Sequence, residues 1–152
     1  MDAEKQTDIL RQVVAEVLER FAFSFVEDEE PQFQEPEWLL ADLAFAGPVR
    51  GKVSLALSRK LASELGANIL GVDTMAAPSD LAADAIKELT NIICGDLLYR
   101  LYGPQTVFDL RVPTLRTMIS SQAVEQEIPS AAAVVELSVE GHRIIAWLEQ
   151  VS

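Results

Sequence analysis

The chain has 152 residues, of which 49% are hydrophobic, and its formal net charge at pH 7 is −12. This length and composition predict one domain with a sizeable hydrophobic core, which we divide into an N-terminal helix (1–26), an acidic loop (27–36) and a core (37–152). The negative charge argues against nucleic acids and anionic membranes as partners. The sequence contains no apolar run long enough to span a membrane and no visible signal peptide, so we expect a cytoplasmic protein.

The chain contains one cysteine, Cys94, and one histidine, His142. A single cysteine excludes an intrachain disulfide. One residue of each type also argues against a zinc site, which usually needs three or four nitrogen or sulfur ligands. We expect Cys94 to be a partly buried structural thiol, and we expect His142, which lies in a turn-like sequence, to be exposed to solvent.

The first half of the chain alternates helical and strand-like patterns. Apolar residues at helical spacing predict an amphipathic helix from about Glu4 to Phe25. Phe21, Phe23 and Phe25 at its end suggest core or interface positions. A β-hairpin is predicted over residues 37–58. Ser58 is then expected to cap a second helix, which Gly71 ends.

The longest predicted helix begins with Ser79 as its N-cap and runs to Tyr102, before Gly103 and Pro104. At about 100° per residue, one narrow stripe of this helix carries two acids, an amide and a glycine. These residues are Asp84, Glu88, Asn91 and Gly95. The opposite side, which we expect to face the core, carries Ala82, Ile86, Leu89, Ile93 and Leu97.

Shorter strand-like pieces follow at residues 106–110 and 115–121, with a further short strand at 123–127. The chain ends with a second hairpin, formed by residues 131–139 and 143–149. Strands gathered into hairpins and separated by helices predict an α+β fold. We expect an antiparallel sheet covered by helices, one of which is the long helix with the polar stripe.

The polar stripe has two interpretations. It could be the solvated face of a surface helix, or it could be a docking and catalytic face. Asn91 is a mediocre residue for a helix interior, because its side chain competes for backbone hydrogen bonds. Gly95 lowers the stability of the helix by roughly 1 kcal/mol relative to alanine at the same position. A helix that carries both residues on one face loses stability there, which close approach by another molecule would explain.

The stretch from Asp84 to Gly95 resembles the signature of the CheC/CheX/FliY phosphatases of bacterial chemotaxis. That signature is Asp or Ser, three residues, Glu, two residues, Asn, some twenty-two further residues and then a Pro. Asp84, Glu88 and Asn91 match it in type and spacing, and Pro113 follows Asn91 after twenty-one intervening residues, one fewer than the pattern. The similarity extends from about residue 38 to residue 147, and a single copy of the motif is similar to CheX rather than to the two-site CheC.

The resemblance implies a phosphatase that acts on the phosphoaspartate of a response regulator similar to CheY. Asn91 would position the attacking water, and Glu88 would pair with a cationic side chain of the regulator. Asp84 would extend the contact surface, Gly95 would give steric room, and Pro113 would shape the loop behind the helix. The Mg²⁺ required would belong to the regulator, so no metal or other cofactor of this chain's own is expected. CheX proteins are similar in forming dimers through their sheets, so we also expect a homodimer.

Two other functions remain open from the sequence. The chain could be a non-catalytic adaptor that holds a response regulator or a flagellar-switch component on the same helix face. Retention of both Glu88 and Asn91 favours catalysis, since a pure adaptor needs neither the amide nor its spacing. An enzyme outside signalling could use Asp84 and Glu88 as acid and base. That interpretation is disfavoured, because carboxylates at i and i+4 lie on one side of a helix and leave no catalytic group on the opposite side of a small substrate.

Overall fold

An antiparallel sheet forms the centre of the computed structural model, which describes residues 2–73 and 80–151. In this part of the chain the sheet has six strands: β1 (Trp38–Ala46), β2 (Arg50–Ser58), β3 (Asp109–Leu110), β4 (Thr114–Met118), β5 (Ala133–Val139) and β6 (His142–Val151). The two long hairpins, β1–β2 and β5–β6, lie side by side because β2 pairs with β6. Both β3 and β4 pair with β1, so β4 and β5 lie at opposite edges of the sheet. The predicted antiparallel α+β fold is confirmed.

Three of the helices cover one face of this sheet. The helices of the described residues are α1 (Ala3–Ala22), α2 (Arg59–Leu70), α3 (Leu81–Tyr102) and the short α4 (Ser121–Glu125). The main core lies between the sheet and α1, α2 and α3, and alternate residues of each central strand contribute to it. A smaller core on the other face surrounds Trp38 and Trp147 and includes Val124 of α4.

The ends of α2 agree with the sequence prediction, whereas α1 is shorter than predicted. The Ser58 hydroxyl accepts a hydrogen bond from the Leu61 amide at 3.0 Å, and Gly71 ends α2 with a φ of 71°. Helix α1 ends at Ala22 instead of Phe25, because Phe23 adopts a left-handed conformation with a φ of 54°. Phe21, Phe23 and Phe25 are exposed, which contradicts a core position for them and leaves an interface position as a prediction.

The third strand predicted after α3 does not form. Residues 121–125 are helical, and the Ser120 hydroxyl caps this turn by accepting from the Ala123 amide at 3.1 Å. The two strands before it are also shorter or shifted relative to the prediction, since only residues 109–110 and 114–118 pair with β1.

His142 is buried, which contradicts the expectation that it is exposed. Residues 27–36, which we call the strap, cross over the β5–β6 turn. The Gln32 and Phe33 amides donate to the Gly141 carbonyl at 2.9 and 3.1 Å. The Phe33 ring centroid lies 4.8 Å from that of His142. His142 Nδ1 also lies 2.9 Å from Glu35 Oε1, without the alignment of a hydrogen bond.

Candidate functional site

Helix α3 presents the polar stripe to solvent as the sequence predicts. Asp84, Glu88, Asn91 and Gly95 are all exposed. The five residues predicted for the opposite side are buried, and so are their neighbours Ala85, Thr90, Cys94, Leu98 and Leu101. The buried arc is therefore wider than predicted, because α3 contacts α1 and α2 as well as the sheet.

Contacts on both flanks hold α3 in place. On one side, Arg100 of α3 pairs with Glu16 of α1 and with Asp96 of α3. The hydrogen bond from Arg100 lowers the pKa of the Glu16 carboxyl. On the other side, α2 approaches closely at Gly66, where an added Cβ would lie 2.7 Å from Leu81 Cγ. The stripe therefore lies on a helix whose position is set by three packed elements.

The start of α3 differs in detail from the prediction. Asp80 occupies the N-cap position, and its side chain makes no capping hydrogen bond. Its carbonyl accepts from the Asp84 amide at 3.1 Å, which is the first hydrogen bond of the helix. The predicted N-cap, Ser79, lies outside the described residues.

The polar groups of the stripe are not used by the fold. Among residues 2–73 and 80–151, the side chains of Asp84, Glu88 and Asn91 have no hydrogen-bond or ion-pair partner. Other acids do: Asp42 accepts from Ser54 at 2.5 Å and pairs with Arg116 at 3.1 Å. The stripe thus offers two carboxylates and one amide. The amide can accept a hydrogen bond from, and donate one to, the same water or partner group.

Gly95 is an open position at the C-terminal end of this stripe. A Cβ built there would meet no atom within 4 Å, whereas a Cβ at Gly47 or Gly51 would come within 3 Å of neighbouring atoms. The packing of this chain therefore does not require a glycine at position 95. Tyr99, one turn further along α3, is 58% exposed. Tyr99 is not among the residues predicted for the site, although its i+4 spacing from Gly95 is the signal that places it next to the stripe.

Pro113 lies on a different element from the other four candidate residues. It is half-buried in the connection between β3 and β4, both of which pair with β1. The Arg111 amide donates to the Ala44 carbonyl at 2.9 Å, which fixes this connection to β1.

Neither Cys94 nor His142 belongs to the stripe. Cys94 is fully buried, and burial raises the pKa of its thiol to about 12. It is therefore a protonated core residue and not a nucleophile. His142 lies beneath the strap, near Glu35 and Glu64. Within the described ranges, no three His, Cys, Asp or Glu side chains are grouped so that they could hold a metal ion.

No helix in the part of the chain that the structure describes is both long enough and apolar enough to cross a membrane.

Comparison with known protein families assigns the chain to a class of protein. The family profile described as chemotaxis phosphatase CheX matches residues 40–137, a range that includes most of β1, all of α3 and most of β5. The chain belongs to the CheX family of chemotaxis phosphatases. No curated protein sequence matches it.

Solved structures share the fold at low sequence identity. CheX from Vibrio vulnificus is 15% identical, covers 99% of both chains and superposes with a TM-score of 0.68. A complex of CheX with CheY, BeF₃ and Mg²⁺ from Borrelia burgdorferi is 16% identical, covers 95% of this chain and 97% of the other, and has a TM-score of 0.64. FliY from Thermotoga maritima is 15% identical; the match covers 95% of this chain and 90% of FliY and has a TM-score of 0.58. At these identities the likeness concerns the fold.

Proposed function

We propose that this protein hydrolyses the phosphoaspartate of a CheY-like response regulator. The observation that supports this most is the exposed and internally unpartnered set of Glu88 and Asn91 on α3, in a chain of the CheX family. The CheY partner in the Borrelia burgdorferi complex supports a regulator of that kind as the substrate.

The reaction needs positioning more than covalent chemistry. An acyl phosphate has a good leaving group, so the catalyst must mainly place a water in line and support developing charge. The water oxygen bonds to phosphorus, the bond between phosphorus and the aspartyl oxygen breaks, and the products are the free carboxylate and inorganic phosphate. The water's proton passes to the phosphate or to solvent. Asn91 orients this water, since its amide both accepts and donates.

The other candidate residues fix the partner. Glu88 lies one turn before Asn91 and pairs with a cationic side chain of the regulator, which sets the docking register. Asp84 extends this acidic contact, and Gly95 lets the regulator approach α3 closely. Pro113 acts indirectly, by shaping the connection behind the helix. The Mg²⁺ that the reaction requires belongs to the regulator.

A homodimer is part of this proposal, and β4 is the edge that fits it. At the other edge, two outward carbonyls of β5 are already covered: Glu136 O accepts from Arg11 Nη1 at 3.2 Å, and Ser138 O accepts from the Glu27 amide at 2.7 Å. Within the described residues, β4 has no such cover on its outer side. An uncovered edge strand is a template for pairing with a second chain.

The test of the catalytic role compares the two asparagines of the chain. Asn91→Ala should lower the rate of dephosphorylation of a phosphorylated regulator by about a hundredfold or more, while thermal unfolding and regulator binding stay at wild-type values. Asn68→Ala is the matched control, because Asn68 has a structural role: its Nδ2 donates to the Ala22 carbonyl at 3.0 Å. That variant should lose some stability and keep its rate. Unchanged activity in Asn91→Ala would remove Asn91 from the mechanism.

A further inference from the structure

A hollow of about 210 Å³ opens beside Gly95, between the C-terminal half of α3 and residues 103–110. Gly95, Tyr99, Phe108 and Leu110 contribute to its lining. We propose that this hollow receives one apolar or aromatic side chain of the phosphorylated response regulator and so determines which regulator docks. This inference rests on the proposed function, since it takes the same partner to the same helix face.

The lining of the hollow suits an apolar group. No charged side chain contributes to it, and its two hydroxyls belong to Tyr99 and Thr106. The Thr106 hydroxyl is already committed, because it donates to the Tyr102 carbonyl at 2.8 Å. Tyr99 is 58% exposed and Leu110 is 38% exposed, so a partner's apolar side chain would remove a substantial apolar surface from water.

The hollow is continuous with the polar stripe. Gly95 belongs to both features, and its lack of a side chain leaves the passage between them open. The chain's own packing does not explain this glycine, whose Cβ would touch nothing. A partner that covers Asn91 therefore also reaches the mouth of the hollow, about 6 Å further along the helix axis.

The two features together describe the partner's surface. From Glu88, the axial rise of α3 gives about 10 Å to Gly95 and about 16 Å to Tyr99. The matching surface of the regulator carries a basic side chain and a bulky apolar side chain about 10–16 Å apart. The phosphoaspartate lies between them, because Asn91 lies between Glu88 and Gly95 on the stripe. Regulators that lack the apolar side chain would bind through the acidic stripe alone and more weakly.

Binding and turnover measured together test this proposal. The probes are CheY-like receiver proteins from the same genome, labelled with a fluorophore and activated with beryllofluoride and Mg²⁺, with anisotropy as the readout of Kd. Tyr99→Ala and Leu110→Ala should each raise Kd about tenfold. Neither change should alter the dephosphorylation rate at saturating protein, because neither residue contacts the reacting atoms.

A matched control variant separates this effect from general loss of apolar surface. Ile119→Ala removes a side chain that is 83% exposed and does not line the hollow, so its Kd should equal that of the wild type. Thermal unfolding of each variant checks that the fold is intact.

The outcomes distinguish this inference from the proposed function. If Tyr99→Ala and Leu110→Ala keep wild-type Kd values while Asn91→Ala loses the rate, the hollow is not a docking site and the phosphatase proposal stands. If the wild type binds without accelerating decay and both variants bind more weakly, the hollow is supported and the catalytic proposal fails. Absence of binding to every activated receiver would overturn both.

Discussion

At the scale of single residues, the candidate site consists of groups that the fold does not use. Asp84, Glu88 and Asn91 are exposed and have no partner within the described residues. Substitutions at exposed positions without such partners usually change stability by no more than about 0.5 kcal/mol. Losses of function at these positions should therefore appear without loss of fold, which makes them clean probes of mechanism.

Charge reversal at Glu88 tests the docking contact. Glu88→Lys should weaken binding of an activated regulator at least tenfold, because like charges placed opposite one another cost several kcal/mol. The loss should shrink as salt is added, since exposed charges are screened. Titration by anisotropy at low and high ionic strength measures both effects.

The control for this change is Glu29→Lys. It makes the same charge change on the strap, where Glu29 is also exposed. An equal loss of binding in both variants would show that net charge, and not the position of Glu88, controls association.

Cys94 gives a prediction about pH. The pKa of its thiol is raised to about 12 in the folded protein by burial, so the thiol stays protonated there after the unfolded chain has begun to lose its proton. The unfolded state then binds fewer protons than the folded state. The free energy of unfolding should therefore fall as pH rises from about 9 towards 12.

Denaturation of the wild type and of Cys94→Ala at pH 7.5 and pH 9.5 isolates this effect. The wild type should lose more stability than the variant over this range. In the native state at neutral pH, the thiol should also resist iodoacetamide until the protein unfolds. Rapid labelling of the folded protein with loss of activity would contradict a buried structural thiol.

Local pattern predicts exposure well for some residues and fails for others. The stripe of α3 follows directly from helical periodicity, so its four exposed residues could be predicted. His142 could not be placed, because its environment comes from Phe33 and Glu35, which are far away in the sequence. Its own neighbours, Glu140 and Gly141, indicate only a turn.

At the scale of elements, the helices and strands with the strongest sequence signals were predicted correctly. Both long hairpins, helix α2 with its caps and the extent of α3 could be predicted from periodicity and turn residues. The weak signals failed at α4 and at the end of α1. The Ser120 cap outweighs the strand-like composition of residues 121–125, and α1 ends where Phe23 adopts a positive φ that composition does not indicate.

Gly95→Ala should improve the helix and impair the site. Replacing glycine by alanine inside a helix stabilises it by about 1 kcal/mol, which corresponds to roughly 2–4 °C in Tm for a chain of this size. No internal clash opposes the change, since the added Cβ meets nothing within 4 Å. The methyl group should nevertheless obstruct the approach of the regulator to α3 and raise its Kd.

Calorimetry and anisotropy on the same preparation check both parts of this prediction. A variant with a higher Tm and unchanged binding would show that Gly95 gives no steric room to the partner. Gly71→Ala serves as a contrast, because its φ of 71° disfavours any side chain and should lower Tm.

At the scale of the whole molecule, the site is a surface and not a cleft. The three-helix layer fixes α3 on the sheet and leaves its polar stripe outward. A hollow of about 620 Å³ lies elsewhere, where the strap approaches Ser121 and Arg143, and contains none of the stripe residues. A convex acidic helix suits a folded protein substrate better than a small molecule, which pockets usually enclose.

The open edge at β4 predicts a dimer. Size-exclusion chromatography coupled to light scattering should give about twice the 16.7 kDa mass of one chain. Thr117→Lys places a charge on this edge and should shift the protein towards the monomer. Gln12→Lys makes the same change on the exposed side of α1 and should leave the mass unchanged. A monomeric wild type at micromolar concentration would contradict the edge-pairing proposal.

The most direct test of the central claim is turnover of a phosphorylated receiver by a substoichiometric amount of this protein. A receiver phosphorylated on its aspartate in the presence of Mg²⁺ is mixed with a tenth of its concentration of the wild-type chain, and the loss of phosphoaspartate is followed in time. We expect all of the excess receiver to be dephosphorylated faster than it decays alone. Decay at the spontaneous rate, in a mixture where binding to α3 is demonstrated, would contradict catalysis and identify an adaptor.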